Sequence, residues 1–360
     1  MISTVADAES QRKNPAVTVV IAAYNSAHYI GQTLDSVQAQ TFTDYEVIVV
    51  NDGSSDRAEL ERILDSHPLP IIYVSQENKG VSAARNAAIR IGRGQFYAQL
   101  DADDQWTPDY LEVQLGIFAG EPEATLVYPN ATIIGDGSDG TLEFMKVSPS
   151  EGDVSFASLV RQQCVVMTCV TARMNAIREA GMFDETLRSC EDFDLWLRIV
   201  QNGKRIVYHR KSLVLYRRHE GSLSSDRVWM TRNLVAVFEK CAATFQLTPA
   251  EKEVLTEQIN DQRAMLNLFE GKHALNAGDT SAALTSFRKA NEHLRRRKLA
   301  AVIFLLRYAP GLVRGAFAAR ERLLARQPDH QLTGIDKPRT PASSELASEP
   351  ANKNVFTESH

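Results

Sequence analysis

Between residues 17 and 118 the apolar positions change period again and again. Residues 17–24 form a β-branched apolar run, the mark of a strand buried on both faces. Residues 30–40 then space their apolar side chains three and four apart, which predicts a helix. The alternation continues with strands over 45–50, 71–74 and 95–100 and helices over 58–66, 81–91 and 109–118. The last helix is entered through Thr107-Pro108, a good helix start. Strand–helix alternation at this spacing predicts an α/β layer with a mostly parallel central sheet. Such sheets bind ligands beyond the carboxyl ends of their strands, where Asn25, Asp52 and Asp101 all fall.

Past residue 125 the pattern is mixed. Short strands are expected at 126–128, 169–171, 206–208 and 214–216, with helices at 155–162 and 191–202. From 226 to 326 the chain reads as almost wholly helical. Residues 265–293 resemble one helix–turn–helix unit of the tetratricopeptide kind, with Ala274, Gly278-Asp279, Ala282-Ala283 and Phe287 at helix-pair spacings. A solenoid needs about three such units, so this one reads as a helical appendix. Residues 327–360 have the composition of a disordered tail, and 1–15 read as a flexible N-terminus. The expected organisation is an α/β domain over 16–225 followed by a helical C-terminal region.

Apolar content of 44% with 24% charged residues is ordinary for a soluble globular chain. A formal net charge of −5 argues against a nucleic-acid partner. The charge is uneven, however: residues 288–326 carry eleven Lys/Arg against only Glu292 and Glu321. Leu299, Val302, Ile303, Leu306, Leu312, Val313 and Phe317 lie among them. A basic amphipathic helix pair of this kind either lies on an anionic membrane surface or packs its stripe on the α/β domain. The apolar run at 299–306 is far short of the about 20 residues that span a bilayer, and residues 1–15 lack a signal peptide's apolar stretch. Cys164, Cys169, Cys190 and Cys241 form no Cys-x-x-Cys pair and read as reduced thiols. The expected location is the cytoplasm, with peripheral contact at the inner face of the membrane left open.

The chemistry begins at Asp101-Ala102-Asp103, after the strand over 95–100. Side chains alternate along a strand, so two carboxylates one residue apart are expected on one side. There they share a hard divalent cation suited to a diphosphate ligand. Alone, the pair equally fits a solvated acidic turn. Four other clusters keep it company: Val19-Val20-Ile21-Ala22-Ala23-Tyr24-Asn25, Val49-Val50-Asn51-Asp52-Gly53-Ser54-Ser55-Asp56, Asn78-Lys79-Gly80-Val81-Ser82-Ala83-Ala84-Arg85-Asn86 and Cys190-Glu191-Asp192-Phe193-Asp194-Leu195-Trp196-Leu197-Arg198. In this order the five resemble the family 2 glycosyltransferases, inverting enzymes of the GT-A fold, over about residues 17–225.

The resemblance implies a nucleotide-sugar donor (a UDP-sugar by family habit), a glycan or lipid-linked glycan acceptor, and Mg²⁺ or Mn²⁺. It implies that Asp52 contacts the nucleoside and that Ala23, Tyr24, Asn25, Lys79, Gly80, Arg85 and Ala102 line the donor site. Asp103 is then the more direct metal ligand, with Asp101 serving the metal, its water or the ribose. Asp192 is the implied general base and Glu191 the fallback. Arg217-Arg218-His219-Glu220-Gly221-Ser222 resembles the family's Arg-x-His-x-x-Ser segment. His219 is then a third metal ligand or a diphosphate donor, and Arg217 and Arg218 face the leaving diphosphate. Region 130–162 is expected to set the acceptor.

Plainer readings stand beside these. Asp52 also suits an Asx turn, and Ser54-Ser55-Asp56 a helix N-cap. Gly80, Ser82, Ala83 and Ala84 suit close packing of helix on sheet. Acids at 191, 192 and 194 suit a helix macrodipole, Asp194 suits a local pair, and Asp104 a cap toward Thr107-Pro108. Tyr24 and Trp196 suit wall or core positions. A nucleotidyltransferase would carry a Gly-rich phosphate loop where Ala22-Ala23-Tyr24-Asn25-Ser26 stands. A non-catalytic scaffold would lack the acids that are present at 52, 101, 103 and 192.

Overall fold

The structure, a computed structural model, describes residues 2–3, 14–135, 138, 140–219 and 226–324. The chain divides into two compact units that meet between His219 and Glu220.

In the first unit the described strands form one nine-stranded sheet in the order β1-β4-β3-β2-β5-β8-β7-β9-β6. They are β1 (Ile2–Ser3), β2 (Val17–Ala23), β3 (Tyr45–Asp52), β4 (Ile71–Gln76), β5 (Phe96–Gln99), β6 (Gln105–Trp106), β7 (Ala124–Gly135), β8 (Thr171–Arg173) and β9 (Arg205–Arg218). β4, β3, β2 and β5 are mutually parallel. Helices α1 (Ala27–Gln38), α2 (Arg57–Ser66) and α3 (Val81–Ile91) supply the crossovers between them. Covered on both faces, β2 and β3 are buried almost throughout, which explains their unbroken apolar runs. Each buried Val or Ile there contributes about 1.5–3 kcal/mol. Gly94 lies against Thr18 of β2, where an added Cβ would sit 2.3 Å from the Thr18 nitrogen.

β8 runs antiparallel to both β5 and β7, so β7 points the same way as β5, and β9 pairs with β7 in parallel. The C-terminal ends of β2, β3, β4, β5 and β9 therefore share one edge of the sheet. That directional fact alone gathers Asn25, Asp52, Lys79, Asp101 and His219 into one region.

Several elements differ from expectation. The short strands expected at 206–208 and 214–216 are one 14-residue strand, β9. Its polar middle, Arg210-Lys211-Ser212, hid the continuity. The strand expected at 126–128 extends over the 12 residues of β7. Pro129, which has no N–H for the ladder, sits where the β7–β9 register shifts, so the pairing survives it. The helix expected at 155–162 is the five-residue Phe156–Val160, started by a Ser155/Ser158 capping box. Ile2 and Ser3, expected in a free end, pair with Ile71 and Ile72 at the sheet edge.

Four helices, α4 (Tyr110–Gly120), α5 (Phe144–Val147), α6 (Phe156–Val160) and α7 (Met174–Glu179), precede α8 (Glu191–Gln201). It buries Leu195, Trp196, Leu197 and Ile199.

The second unit contains α9 (Arg227–Thr244), α10 (Pro249–Asn276), α11 (Thr280–Leu294), α12 (Arg297–Tyr308) and α13 (Pro310–Leu324). The expected helix–turn–helix is α10–α11. Asp279 caps α11 by accepting from the Ala282 amide at 2.9 Å. Gly271 lets the pair close, since an added Cβ would lie 2.5 Å from the Phe287 ring. The apolar stripe of α12–α13 packs inside this unit: Leu299, Leu306 and Val313 join Met265, Leu268 and Phe287 in one core. No helix among the described residues is long and apolar enough to cross a membrane. The tail over 327–360 lies outside the described residues.

Candidate active site

Strand β5 ends at Gln99, so Asp101, Ala102 and Asp103 lie on a turn closed by the Asp104 amide donating to the Asp101 carbonyl at 3.1 Å. Strand alternation therefore does not set the relation of the two carboxylates, because they lie on a turn rather than in the strand. Each acid goes its own way. Asp101 accepts from the Arg85 guanidinium at 2.8 Å. Asp103 meets His219 Nε2 at 3.0 Å. Asp104 turns inward and accepts from the Arg217 amide at 2.8 Å, and so does not cap toward Thr107-Pro108. The Thr33 hydroxyl pins the turn by donating to the Ala102 and Asp104 carbonyls at 3.0 and 2.8 Å.

Burial and the nearby Asp101 charge raise the proton affinity of Asp103, against the pull of His219. Burial, then the charges of Asp103 and Asp101, raise Asp104 well above the usual carboxylate range. Negative charge is therefore crowded on this turn.

Asp52, at the end of β3, accepts from Gln76 Nε2 (2.7 Å), the Lys79 amide (2.9 Å) and the Gly80 amide (2.8 Å). It braces the start of α3 rather than capping α2. The side chain that holds this loop is that of Asn51, which accepts from the Ser54 amide at 2.9 Å. Asp56 precedes α2 without capping it; its carboxylate accepts from the Ala27 amide at the start of α1. The Lys79 and Gly80 amides, expected to favour an anionic ligand, are thus taken up by Asp52. Asn25 clips the two loops together: its amide donates to Ser54 and its side chain accepts from Ser55. Ala23 is buried, whereas Tyr24 is 55% exposed beside it.

Gly53 allows this crowding. Its φ is +70°, and an added Cβ would lie 2.6 Å from the Asn78 amide nitrogen. Gly53→Ala is expected to cost about 1–3 kcal/mol and to loosen the Lys79–Gly80 turn. Thermal melts with and without donor test this; an unchanged melting temperature would refute it.

Arg85 is buried to within 3%. It was expected to reach a ligand from α3, yet its guanidinium spans Asp101 (2.8 Å) and Glu191 (2.6 Å). Burial opposes its charge, but those two carboxylates overcome that and hold it firmly protonated. Glu191, the fallback base, is thereby committed to Arg85. Asp194 pairs with Arg198 at 2.8 Å, as expected of a local pair.

Asp192 is half-buried beside this bridge. Its carboxyl is pushed up to about 7 by burial and the Glu191 charge, with Arg85 pulling the other way. Cys190 precedes it in the left-handed region (φ 58°), uncommon for a residue with a side chain, and starts α8 by accepting from the Asp194 amide. Trp196 is fully buried core.

β9 delivers Arg217, Arg218 and His219. Arg217 is braced rather than free: it donates to the Asp103 carbonyl and to Gln32, and lies over the Tyr29 ring at 5.0 Å. Tyr29 in turn stacks on His219 at 5.1 Å between ring centroids. Arg218 sits half-exposed at the strand end. Ser222 lies outside the described residues.

Among the described residues no three His, Cys, Asp or Glu side chains converge as a ready-made metal cage. Of the expected set, Asp103 and His219 face each other at 3.0 Å, while Asp101 bonds to Arg85. Two donors still fit Mg²⁺ or Mn²⁺, which bind through one or two carboxylates plus phosphate oxygens and water. The crowded negative charge around Asp103 favours such an ion.

Sequence reasoning gave no role to Thr33, Asn51, Tyr29 or Asn86. Asn86 donates to the Phe183 carbonyl and accepts from its amide, tying α3 to the segment before α8. Partners 69 to 116 residues apart leave no local signal.

Residues 18–178 match the family described as Glycosyl transferase family 2. An uncharacterized glycosyltransferase of Rickettsia typhi is 30% identical over 217 residues, spanning 59% of this chain and 67% of its own length. The chain spans only about a third of several other curated relatives. S. aureus TarS in complex with UDP-GlcNAc aligns at 19% identity with a TM-score of 0.58, over 85% of this chain and 91% of that one. A mannosyltransferase of Pyrobaculum calidifontis, in complex with GDP-Man and Mn²⁺, aligns at 18% identity with a TM-score of 0.59, over 92% and 89%. At such identities the likeness to solved structures is one of fold, and the fold is GT-A-like.

Proposed function

The chain belongs to glycosyl transferase family 2, and we propose that it moves a sugar from a nucleoside-diphosphate donor to an acceptor hydroxyl in one inverting displacement. The supporting observation is the convergence on Arg85. Asp101 and Glu191 bond to it and Asp192 lies within its field, so an acidic turn and a titratable carboxyl face one region.

In this reading Asp192 takes the proton of the attacking hydroxyl. A base titrating near 7 is matched to that task at neutral pH. Arg85 and Glu191 hold the base in place without exchanging protons with substrate. Asp52 fixes the Lys79–Gly80 turn, against which the nucleoside rests beside Tyr24. Asp103 and His219 would hold a divalent ion, which supplies Lewis-acid stabilisation of the leaving diphosphate. Arg218 adds positive charge there. UDP-sugars are the first donors to test, and GDP-sugars the second. The acceptor is a glycan or lipid-linked glycan hydroxyl.

Nucleotide release from UDP-, GDP- and dTDP-sugars with Mn²⁺ tests this. One donor is expected to turn over, with EDTA lowering release at least about tenfold and added Mn²⁺ restoring it. Release untouched by EDTA would sink the metal assignment. A purified chain that neither binds nor turns over any of these donors would sink the transfer reading.

A further inference from the structure

Helix α12 carries two apolar faces. One is covered: Leu299 and Leu306 are buried in the core of the second unit. The other is open. Phe304, Leu305 and Tyr308 are 62%, 43% and 65% exposed, and Leu312, just past the Ala309 break, is 73% exposed. Large hydrophobic side chains this exposed are few among the described residues; the others are Tyr24 and Trp229, each isolated in sequence. The stripe is continuous, since Phe304 and Tyr308 stand one turn apart with ring centroids at 4.8 Å.

The rim of this face is basic. The run Arg295-Arg296-Arg297-Lys298 leads into α12, Arg307 lies over the Tyr308 ring at 5.5 Å, and Arg314 follows. No Asp or Glu occurs between Leu294 and Arg320. A second copy would oppose this charge with its own, because a two-fold contact places the same patch on both sides. A surface of negative charge over an apolar layer complements it. Aromatic side chains with a polar tip suit the level of lipid headgroups, and arginine stems extend charge toward phosphate.

We propose that the open face of α12, extended by Leu312, docks on an anionic lipid bilayer, with the helix lying in the interface plane. Phe304, Leu305, Tyr308 and Leu312 enter the headgroup region, and the flanking arginines meet lipid phosphates. This face differs from the stripe of Leu299, Leu306 and Val313, which the helical core consumes. The proposal needs no turnover, so it stands or falls separately from the sugar-transfer reading.

Sedimentation of the full chain with vesicles tests it. Phosphatidylcholine vesicles containing a third phosphatidylglycerol are expected to bind at least about tenfold more tightly than phosphatidylcholine alone. Phe304→Ser with Leu312→Ser is expected to lose about tenfold in that binding at an unchanged melting temperature, because both side chains are exposed. Arg307→Glu with Arg314→Glu is expected to remove the anionic preference. Equal binding to both vesicles, or full binding by the Phe304→Ser/Leu312→Ser chain, would overturn the proposal. So would a dimer in sedimentation velocity that this double variant dissolves while vesicles bind neither form, since a second copy would then be the occupant.

Discussion

Asp192→Asn is expected to lower turnover by about 10²–10⁴-fold while raising thermal stability at pH 8. The first effect follows from removing the proton acceptor while keeping its size and shape. The second follows from linkage. In the folded chain the Asp192 carboxyl holds its proton up to about 7, against an ordinary value of 3.8. A raised carboxyl favours the folded state fully below the ordinary value. That contribution is lost as pH climbs through about 7, where the charge must form against burial and Glu191. Asparagine never charges, so the variant escapes the loss. Its advantage is expected to be absent near pH 4 and on the order of 1 kcal/mol at pH 8. Melts at the two pH values, beside nucleotide release, separate a base from a structural acid. In the parent chain kcat/KM is expected to rise through about pH 7. A flat profile from pH 5 to 8, or an Asn variant that keeps full turnover, would end this assignment.

Arg85→Ala carries the largest expected stability loss, about 3–5 kcal/mol. Asp101 and Glu191 would remain close together in a buried setting without the cation that bridges them at 2.8 and 2.6 Å. The guanidinium also lies over the Phe183 ring at 5.3 Å, a contact that alanine forfeits. Arg85→Lys keeps the charge but not the fork that reaches two carboxylates at once, so an intermediate loss is expected. Adding Glu191→Gln to Arg85→Ala is expected to recover part of the stability, because one uncompensated charge disappears. Chemical denaturation of the three variants measures this. A second readout concerns the base: Arg85 pulls the Asp192 carboxyl down, so in Arg85→Ala, which keeps the Glu191 charge, the rise of kcat/KM moves to higher pH. A loss under about 1 kcal/mol for alanine would show that the bridge is not a structural centre.

The parallel half of the sheet was legible because its strands are buried on both faces and leave long β-branched runs. The mixed half was not. β9 carries Arg210-Lys211-Ser212 through its middle, and β7 carries Pro129, so two long strands read as fragments. Asp52, Asp101, Asp103 and Asp192 stood out from motif order. Their partners did not, because Arg85–Glu191 and Asp103–His219 join residues 106 and 116 positions apart. Local pattern reports which residue ends a strand; it is silent on which side chain waits across the edge.

The sequence by itself determined the α/β class, the order of the acidic motifs, the helix pair over Gly278-Asp279 and the basic, acid-free stretch after Leu294. These are properties of periodicity and composition, which each segment carries alone. Tertiary structure decided the division of labour among the acids: Asp104 inward, Asp101 and Glu191 on Arg85, Asp103 on His219, and Asp192 left to titrate. It also decided which face of α12 is consumed by the core and which stays open. Burial and charge set those outcomes, and both depend on neighbours that only the folded chain brings together.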